Sequence, residues 1–179
     1  MIEATQKKLR EAEFFLRLLS HADQEVLWTE PEAFEFYLNA FLSAARSVTF
    51  ALQYEEKDKY DAWFPEWFNK LSAEDRQLLG FLKRQRNHSE KRGGAEVDID
   101  WEFIPITEVR SDNRGHPAYG FHWFGPPGTP PPRVGVMHHS FELSGEQQKV
   151  TAACTRHAGI LEKLVRDFIE AHSVRGSAD

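Results

Sequence analysis

The segment from about residue 30 to residue 54 constrains the fold more than any other part of this sequence. Its large apolar residues recur at helical spacing and form one stripe: Phe34, Tyr37, Leu38, Phe41, Ala45, Val48 and Leu52. The rest of the circumference is largely apolar or small as well, as at Phe36, Ala40, Ala44, Phe50 and Ala51. A helix that is apolar nearly all round needs neighbours on several sides, so the sequence predicts a central helix here.

Helical spacing predicts four further helices. The first covers residues 4–20, and a short one over 60–71 is expected to kink or restart at Pro65. Another begins after Ser72 and stops at Gly93–Gly94. The last is expected to open on the capping-box spacing Ser144–Gln147 and to bury a face from Val150 to Phe168. Thr29–Glu32 has the same spacing ahead of the central helix.

Between residues 96 and 143 the period of the apolar residues changes from helical to alternating. Val97, Ile99, Trp101 and Phe103 alternate with acidic residues, which predicts a half-buried strand. Similar alternation predicts a second strand at Tyr119–Trp123 and a third from Val134 to Ser140, with a proline-rich loop over 125–132. We expect a small antiparallel sheet or long hairpin.

These elements predict a mainly α fold, in which a bundle of four to five helices carries a small antiparallel β insertion before the last helix. The length of 179 residues fits a single domain over 1–179. Within it, we expect a helical core over 1–95, the β insertion over 96–143, and a C-terminal helix over 144–172 that returns to the core.

Composition excludes several classes of protein. No stretch approaches the roughly 18 apolar residues of a membrane span, and the N-terminus lacks the pattern of a signal peptide. The single cysteine, Cys154, excludes an internal disulfide. A formal net charge of −6 argues against a protein that coats nucleic acid, although a local basic site is compatible with it. We expect a soluble cytoplasmic protein with no role at a membrane.

The strongest candidate for chemistry is the basic end of the helix that follows Ser72. Residues 83–92 carry five cations, Lys83, Arg84, Arg86, Lys91 and Arg92, against one anion, Glu90. Arginine has a forked donor group that suits phosphate. The same cations also complement the dipole at a helix C-terminus, which is a purely structural explanation.

Two segments resemble the HEPN superfamily (higher-eukaryote and prokaryote nucleotide-binding domains). They are Phe41-Leu-Ser-Ala-Ala-Arg-Ser-Val-Thr-Phe50 in the central helix and Phe81-Leu-Lys-Arg-Gln-Arg-Asn87 in the basic helix. The resemblance covers residues 4–94 and the last helix. It implies a homodimer, and the apolar circumference of the central helix is compatible with an obligate interface.

Active members of that superfamily cleave RNA without metal through an Arg-polar-x-x-x-His motif. Arg86 and Asn87 match its first two positions, Lys91 stands at the histidine position, and His88 directly follows the asparagine. Lysine has a pKa near 10.4 and is poorly matched to proton transfer at neutral pH. The resemblance therefore implies a non-catalytic member that binds RNA or a nucleotide through Arg84, Arg86, Asn87, His88 and Lys91.

Two other functions are compatible with the same residues. One is a metal-independent endoribonuclease of the toxin or phage-defence type that uses Arg86, Asn87 and His88, with a cognate antitoxin-like protein as a possible partner. The other is a structural or partner-binding dimeric protein with no nucleic-acid role.

No cofactor or metal site is expected. His138 and His139 are adjacent on a predicted strand and point to opposite faces, although His116 and His122 lie near neighbouring strands. Phe121–Gly125 and the proline loop indicate packing or partner contact more than stacking of nucleic-acid bases. On the last helix, we expect Cys154 to be a small buried residue and His157 to be a hydrogen-bonded core histidine.

Overall fold

The structure is a computed structural model, and it describes residues 2–23, 32–105 and 128–173. In chain order the elements are α1 (Glu3–Ala22), α2 (Ala33–Glu55), α3 (Lys57–Asn69), α4 (Ala73–Arg92), β1 (Asp98–Pro105), β2 (Arg133–Leu143), β3 (Glu146–Lys149) and α5 (Val150–Ser173). The predicted mainly α class, with a small antiparallel sheet before the last helix, is confirmed.

Helix α2 is the centre of the bundle, as its apolar circumference predicts. It contacts α1, α3, α4 and α5. Leu38, Phe41, Ala45, Val48 and Leu52 on its surface are completely buried. Each large side chain of this kind contributes roughly 1.5–3 kcal/mol when it leaves water, so α2 supplies much of the energy that holds the helices together.

The N-terminus of α1 is capped by a residue at the C-terminal end of α2. Ile2 offers no side-chain cap. Instead, the Glu55 carboxylate accepts hydrogen bonds from the backbone N–H groups of Ala4 (2.8 Å) and Thr5 (2.9 Å) and from the Thr5 hydroxyl (2.6 Å). Unpaired N–H groups in the first turn of a helix favour such an anion. This contact fixes the register between α1 and α2.

Local sequence signals set both ends of α4. In α3, a proline removes one hydrogen bond from the helix. The Ser72 hydroxyl accepts from the Asp75 N–H at 3.0 Å, and Gly93 ends α4 with a φ of 91°. Both signals were predicted. Pro65 lies inside α3, which continues as one helix rather than restarting. Because proline has no N–H, it removes one hydrogen bond from that helix.

The sheet has the strand order β1-β2-β3, and both pairs are antiparallel. Strand β2 attaches the sheet to the bundle: Phe141 is completely buried and packs edge-on against Phe81 at 5.1 Å. His139 stacks on Phe34 of α2 at 3.5 Å between ring centroids. Asp23, at the end of α1, receives contacts from His139 Nδ1 (3.2 Å) and the Thr151 hydroxyl (3.1 Å).

Two predictions in this region are wrong. Strand β1 is not half-buried, because Ile99, Trp101 and Phe103 are 55%, 55% and 59% exposed. The segment Ser144–Gln147 does not open a helix. Ser144 and Gly145 have φ values of 62° and 83° and form the turn of a β2–β3 hairpin, so α5 begins only at Val150.

Several predicted features lie outside the described residues. They are the strand at Tyr119–Trp123, the capping residues before Glu32, the aromatic segment 121–125, and the histidines His116 and His122. Within the described ranges, no helix has the length and hydropathy needed to cross a bilayer.

Candidate functional site

The basic residues of α4 are divided between two sides of the helix. Arg84 and His88 line a depression between α4 and the β2–β3 turn, together with Glu96, Glu142 and Ser144. Lys83 and Arg86 line a separate groove between α2, α3, α4 and α5. Residues two apart on a helix lie about 200° apart around its axis, which explains the division.

His88 is engaged in fixing the chain that follows α4. Its Nδ1 lies 3.0 Å from the Gly94 carbonyl oxygen, and its Nε2 lies 3.2 Å from the Glu96 carboxylate. Arg84 extends along Phe81, with its guanidinium carbon 5.9 Å from the ring centroid. Two predicted site residues remain. The amide oxygen of Asn87 accepts from Arg86, and the side chain of Lys91 is exposed in the last turn of α4.

Arg86 is the predicted residue that faces the larger groove. Its Nη2 forms an ion pair with Glu90 at 2.6 Å, and its Nη1 lies 3.3 Å from the Asn87 amide oxygen. Its Nε is shielded from solvent and has no hydrogen-bond partner among the described residues. A buried donor without a partner costs about 1–3 kcal/mol, so this N–H favours an acceptor supplied from outside the chain.

The groove has a volume of about 570 Å³ and apolar walls. The wall from α3 is largely aromatic and includes Tyr60, Phe64, Trp67 and Phe68. The Tyr60 and Phe64 rings are stacked, as are the Phe64 and Trp67 rings. Ligand pockets in proteins usually have volumes of about 300–1,000 Å³ and combine apolar walls with a few polar groups.

The charges along the groove are mainly positive. Of the residues that the structure describes, Arg46, Arg76, Lys83 and Arg86 line it, against one carboxylate, Asp61. Asp61 already accepts from Lys57 at 2.9 Å and from Gln53 at 2.7 Å. Arg76 donates to the carbonyl oxygens of Asn69 and Leu71. Arg46 and Arg86 are therefore the guanidinium groups best placed to attract an anion.

The Arg46 side chain is held at the groove by contacts with two other residues of α2. Its Nη1 donates to the Thr49 hydroxyl at 3.0 Å, and its guanidinium carbon lies 4.0 Å from the Phe50 ring centroid. Burial lowers the pKa of Arg46, the neighbouring Tyr60 opposes this, and the positive charge of Arg86 lowers it further. Two cations that repel each other in a partly buried groove are stabilised by an anion between them.

His157 and Tyr60 add neutral polar groups to the groove. Burial lowers the pKa of His157 to about 4, and burial raises the pKa of Tyr60 to about 12, so both are uncharged at neutral pH. His157 Nδ1 is shielded from solvent and has no hydrogen-bond partner within ranges 2–23, 32–105 and 128–173, so the expected hydrogen bond is not made by this nitrogen there. The neighbouring Cys154 is buried as predicted, and burial raises the pKa of its thiol.

Sequence reasoning found Arg86 but missed Arg46 as a site residue. The available signal was the position of Arg46 on a helix that is otherwise apolar nearly all round. In the ranges 2–23, 32–105 and 128–173, no three His, Cys, Asp or Glu side chains are grouped so that they could hold a metal ion. His138 instead pairs with Glu102 at 2.9 Å, on the sheet face opposite to His139.

The elements that form most of this site fall within a match to a known family. The family described as bacteriophage lambda protein ea47 matches residues 2–109, which is more than half of the chain. The chain belongs to this family. Protein ea47 of Escherichia phage lambda is 31% identical over 86 residues. The aligned region is 47% of this chain and 21% of that protein, so this chain spans about a fifth of the relative's length.

The Ea47 match overturns the resemblance to the HEPN superfamily, and with it the toxin–antitoxin relationship that belonged to one of the alternatives. The resemblance was based on one helical pattern and a short Arg-Asn motif. Apolar residues with small neighbours recur in many packed helices, so such a pattern identifies a helical bundle more readily than a family. No solved structure matches this chain.

Proposed function

We propose that this chain is a non-catalytic binding module whose groove receives a nucleotide, or a single unpaired nucleotide of an RNA strand. The phosphate lies against Arg86 and Arg46, and the base lies against the aromatic wall of α3. The proposal includes a cytoplasmic location, where nucleotides are abundant.

The unpartnered Nε of Arg86 carries this proposal. Phosphate oxygens match the forked donors of arginine, and such charge-assisted bonds are stronger than neutral ones. Glu90 occupies one N–H of Nη2 at 2.6 Å and Asn87 one N–H of Nη1 at 3.3 Å, which leaves the remaining N–H groups of Arg86, Nε included, for a ligand. The repulsion between Arg46 and Arg86 favours an anion in the same place.

The groove walls favour a ligand that also has a flat apolar part. Stacking of a base on an aromatic side chain contributes about 1–3 kcal/mol and tolerates different bases. His157 also lines the groove and adds a neutral imidazole to its wall.

Binding is favoured over cleavage by the placement of the histidines. His88 and Arg86 line different depressions, so they do not converge on one phosphate. His157 lines the groove with Arg86, but a pKa of about 4 makes it a weak base at neutral pH. We therefore do not propose the endoribonuclease.

Arg84 provides a matched control for Arg86, because both are on α4 and they face different depressions. Binding of fluorescently labelled ATP and of a labelled unstructured RNA is measured by anisotropy at low and moderate salt. We expect Arg86→Ala to weaken binding by about 10- to 100-fold, the range for loss of a charge-assisted hydrogen bond. Arg84→Ala should change affinity by less than about twofold.

Three outcomes contradict the proposal. They are no binding of either probe to the wild-type protein, equal losses for the two variants, and an affinity that does not change with salt. Cleavage of the RNA probe by wild type, but not by Arg86→Ala, would support the endoribonuclease instead.

A further inference from the structure

Strand β1 presents an exposed apolar row that the bundle does not cover. Ile99, Trp101 and Phe103 are more than half exposed, and they oppose His139, Met137 and Gly135 on β2. At the inner end of this face, His139 packs on Phe34. The outer end projects beyond the bundle, where large apolar side chains on a protein surface are typical of a contact site.

Gly135 allows the two aromatic rings to lie close over the sheet. A methyl group at Gly135 would lie 2.9 Å from Cε3 of Trp101 and 3.4 Å from Cε1 of Phe103. Any other residue would displace the rings. The glycine therefore shapes a flat aromatic surface on this face.

The opposite row of β1 is acidic. Asp98, Asp100 and Glu102 are all exposed and alternate with the apolar residues. Within the described strands, β1 pairs with β2 alone and lies at an edge of the sheet. The Trp101 N–H donates to the side chain of its own neighbour Asp100 at 2.9 Å rather than to another strand.

The acidic row argues against a second copy of this chain as the occupant of the edge. Pairing β1 with another β1, with the apolar rows on the same face, places carboxylates opposite carboxylates. Like charges directly opposite each other across two strands are destabilising. Inward or edge charges of this kind are a common protection against self-pairing.

We propose that the edge of β1 that no described strand pairs with binds an extended segment of another protein in which Lys or Arg alternates with apolar residues. Main-chain hydrogen bonds extend the sheet, as in other complexes that add a strand. The apolar residues of the segment cover Trp101 and Phe103, and its cations face Asp98 and Asp100. This inference does not depend on the groove or on the proposed nucleotide.

A charge-swap experiment tests the inference with two defined probes. One is a labelled eight-residue peptide in which Lys alternates with Val, and the other has Glu in place of each Lys. We expect the Lys peptide to bind the wild-type protein, and the double variant Asp98→Lys/Asp100→Lys to bind it at least about tenfold more weakly. The variant should bind the Glu peptide instead, because the charges are exchanged.

Far-UV circular dichroism checks that the double variant remains folded, and Glu162→Lys/Glu170→Lys, at exposed positions of α5, makes the same change in charge elsewhere as a control. The inference is overturned if the wild type binds neither peptide or binds both with equal affinity. It is also overturned if the wild type and the double variant have equal affinity for the Lys peptide. It is also overturned if sedimentation shows a dimer that Trp101→Ser dissociates, since the occupant is then a second copy.

Discussion

At the scale of single residues, Glu55 illustrates how one side chain can stabilise an element distant in sequence. It satisfies two backbone N–H groups and a hydroxyl at the start of α1, about fifty residues away. Burial opposes its ionisation, but the hydrogen bonds from Thr5 and Ala4 outweigh this effect and lower the pKa of Glu55. The charged form is therefore the one that stabilises the fold.

We expect Glu55→Gln to reduce the free energy of unfolding at neutral pH by about 1 kcal/mol, because the neutral amide keeps one acceptor oxygen in place of two and has no charge at the helix N-terminus. A lowered pKa gives a contribution that is present above the ordinary value of 4.5 and lost as the pH falls through the folded-state value. The difference between wild type and variant should therefore shrink in acid. Urea unfolding at several pH values measures it.

Glu66→Gln is the control, because Glu66 pairs with Lys70 on an exposed helix face. Such surface pairs contribute less than about 1 kcal/mol. If Glu55→Gln and Glu66→Gln have the same effect, or if the Glu55 difference grows in acid, the capping role is wrong.

At the scale of elements, the two ends of α4 are features that the sequence predicts correctly. Ser72 and Gly93 bound α4 through local contacts alone, so a short stretch of sequence contains the whole signal. Ser144–Gln147 contains an equally local signal that is misleading, because serine and glycine suit both a helix cap and a tight hairpin turn. Pairing of Phe141 with Gln148 decides between them, and such pairing depends on the chain on both sides.

Two glycines provide opposite tests of helix geometry. A methyl group at either Gly93 or Gly159 would meet no atom within 4 Å, so backbone conformation alone determines the effect. Gly93 has a φ of 91°, and Gly93→Ala should destabilise the protein by about 1–2 kcal/mol. Gly159 lies inside α5, and Gly159→Ala should stabilise it by about 0.5–1 kcal/mol. Thermal unfolding of both variants checks the two signs, and equal signs would contradict this account.

At the scale of the whole molecule, the candidate groove shows where prediction from sequence stops. Arg86 belongs to a basic run that is visible in the sequence, but Arg46 and His157 are on other helices. Their meeting depends on how α2, α4 and α5 cross. The spacing of apolar residues along one helix specifies which face of that helix is buried. It does not specify the angle at which two helices cross.

The sheet and the bundle should unfold together. Phe141 is completely buried against Phe81, so Phe141→Ala should reduce the free energy of unfolding by about 3–5 kcal/mol. Far-UV circular dichroism should show that the helices of Phe141→Ala unfold at a lower denaturant concentration than those of the wild type, although the substitution is in a strand. Phe103→Ala, in the exposed row of the same sheet, should change stability by less than about 1 kcal/mol. Unchanged helix unfolding in Phe141→Ala would contradict this coupling.

The contacts of Asp23 have a consequence for the order of events during synthesis. This carboxylate joins the end of the first helix to His139 and Thr151, more than a hundred residues later. Helix α1 also packs directly on α5. A nascent chain therefore leaves the ribosome with its first helix still missing one side of its packing. Helix α5 supplies that side only after more than a hundred further residues have been made, and the growing chain must remain unaggregated until α5 emerges.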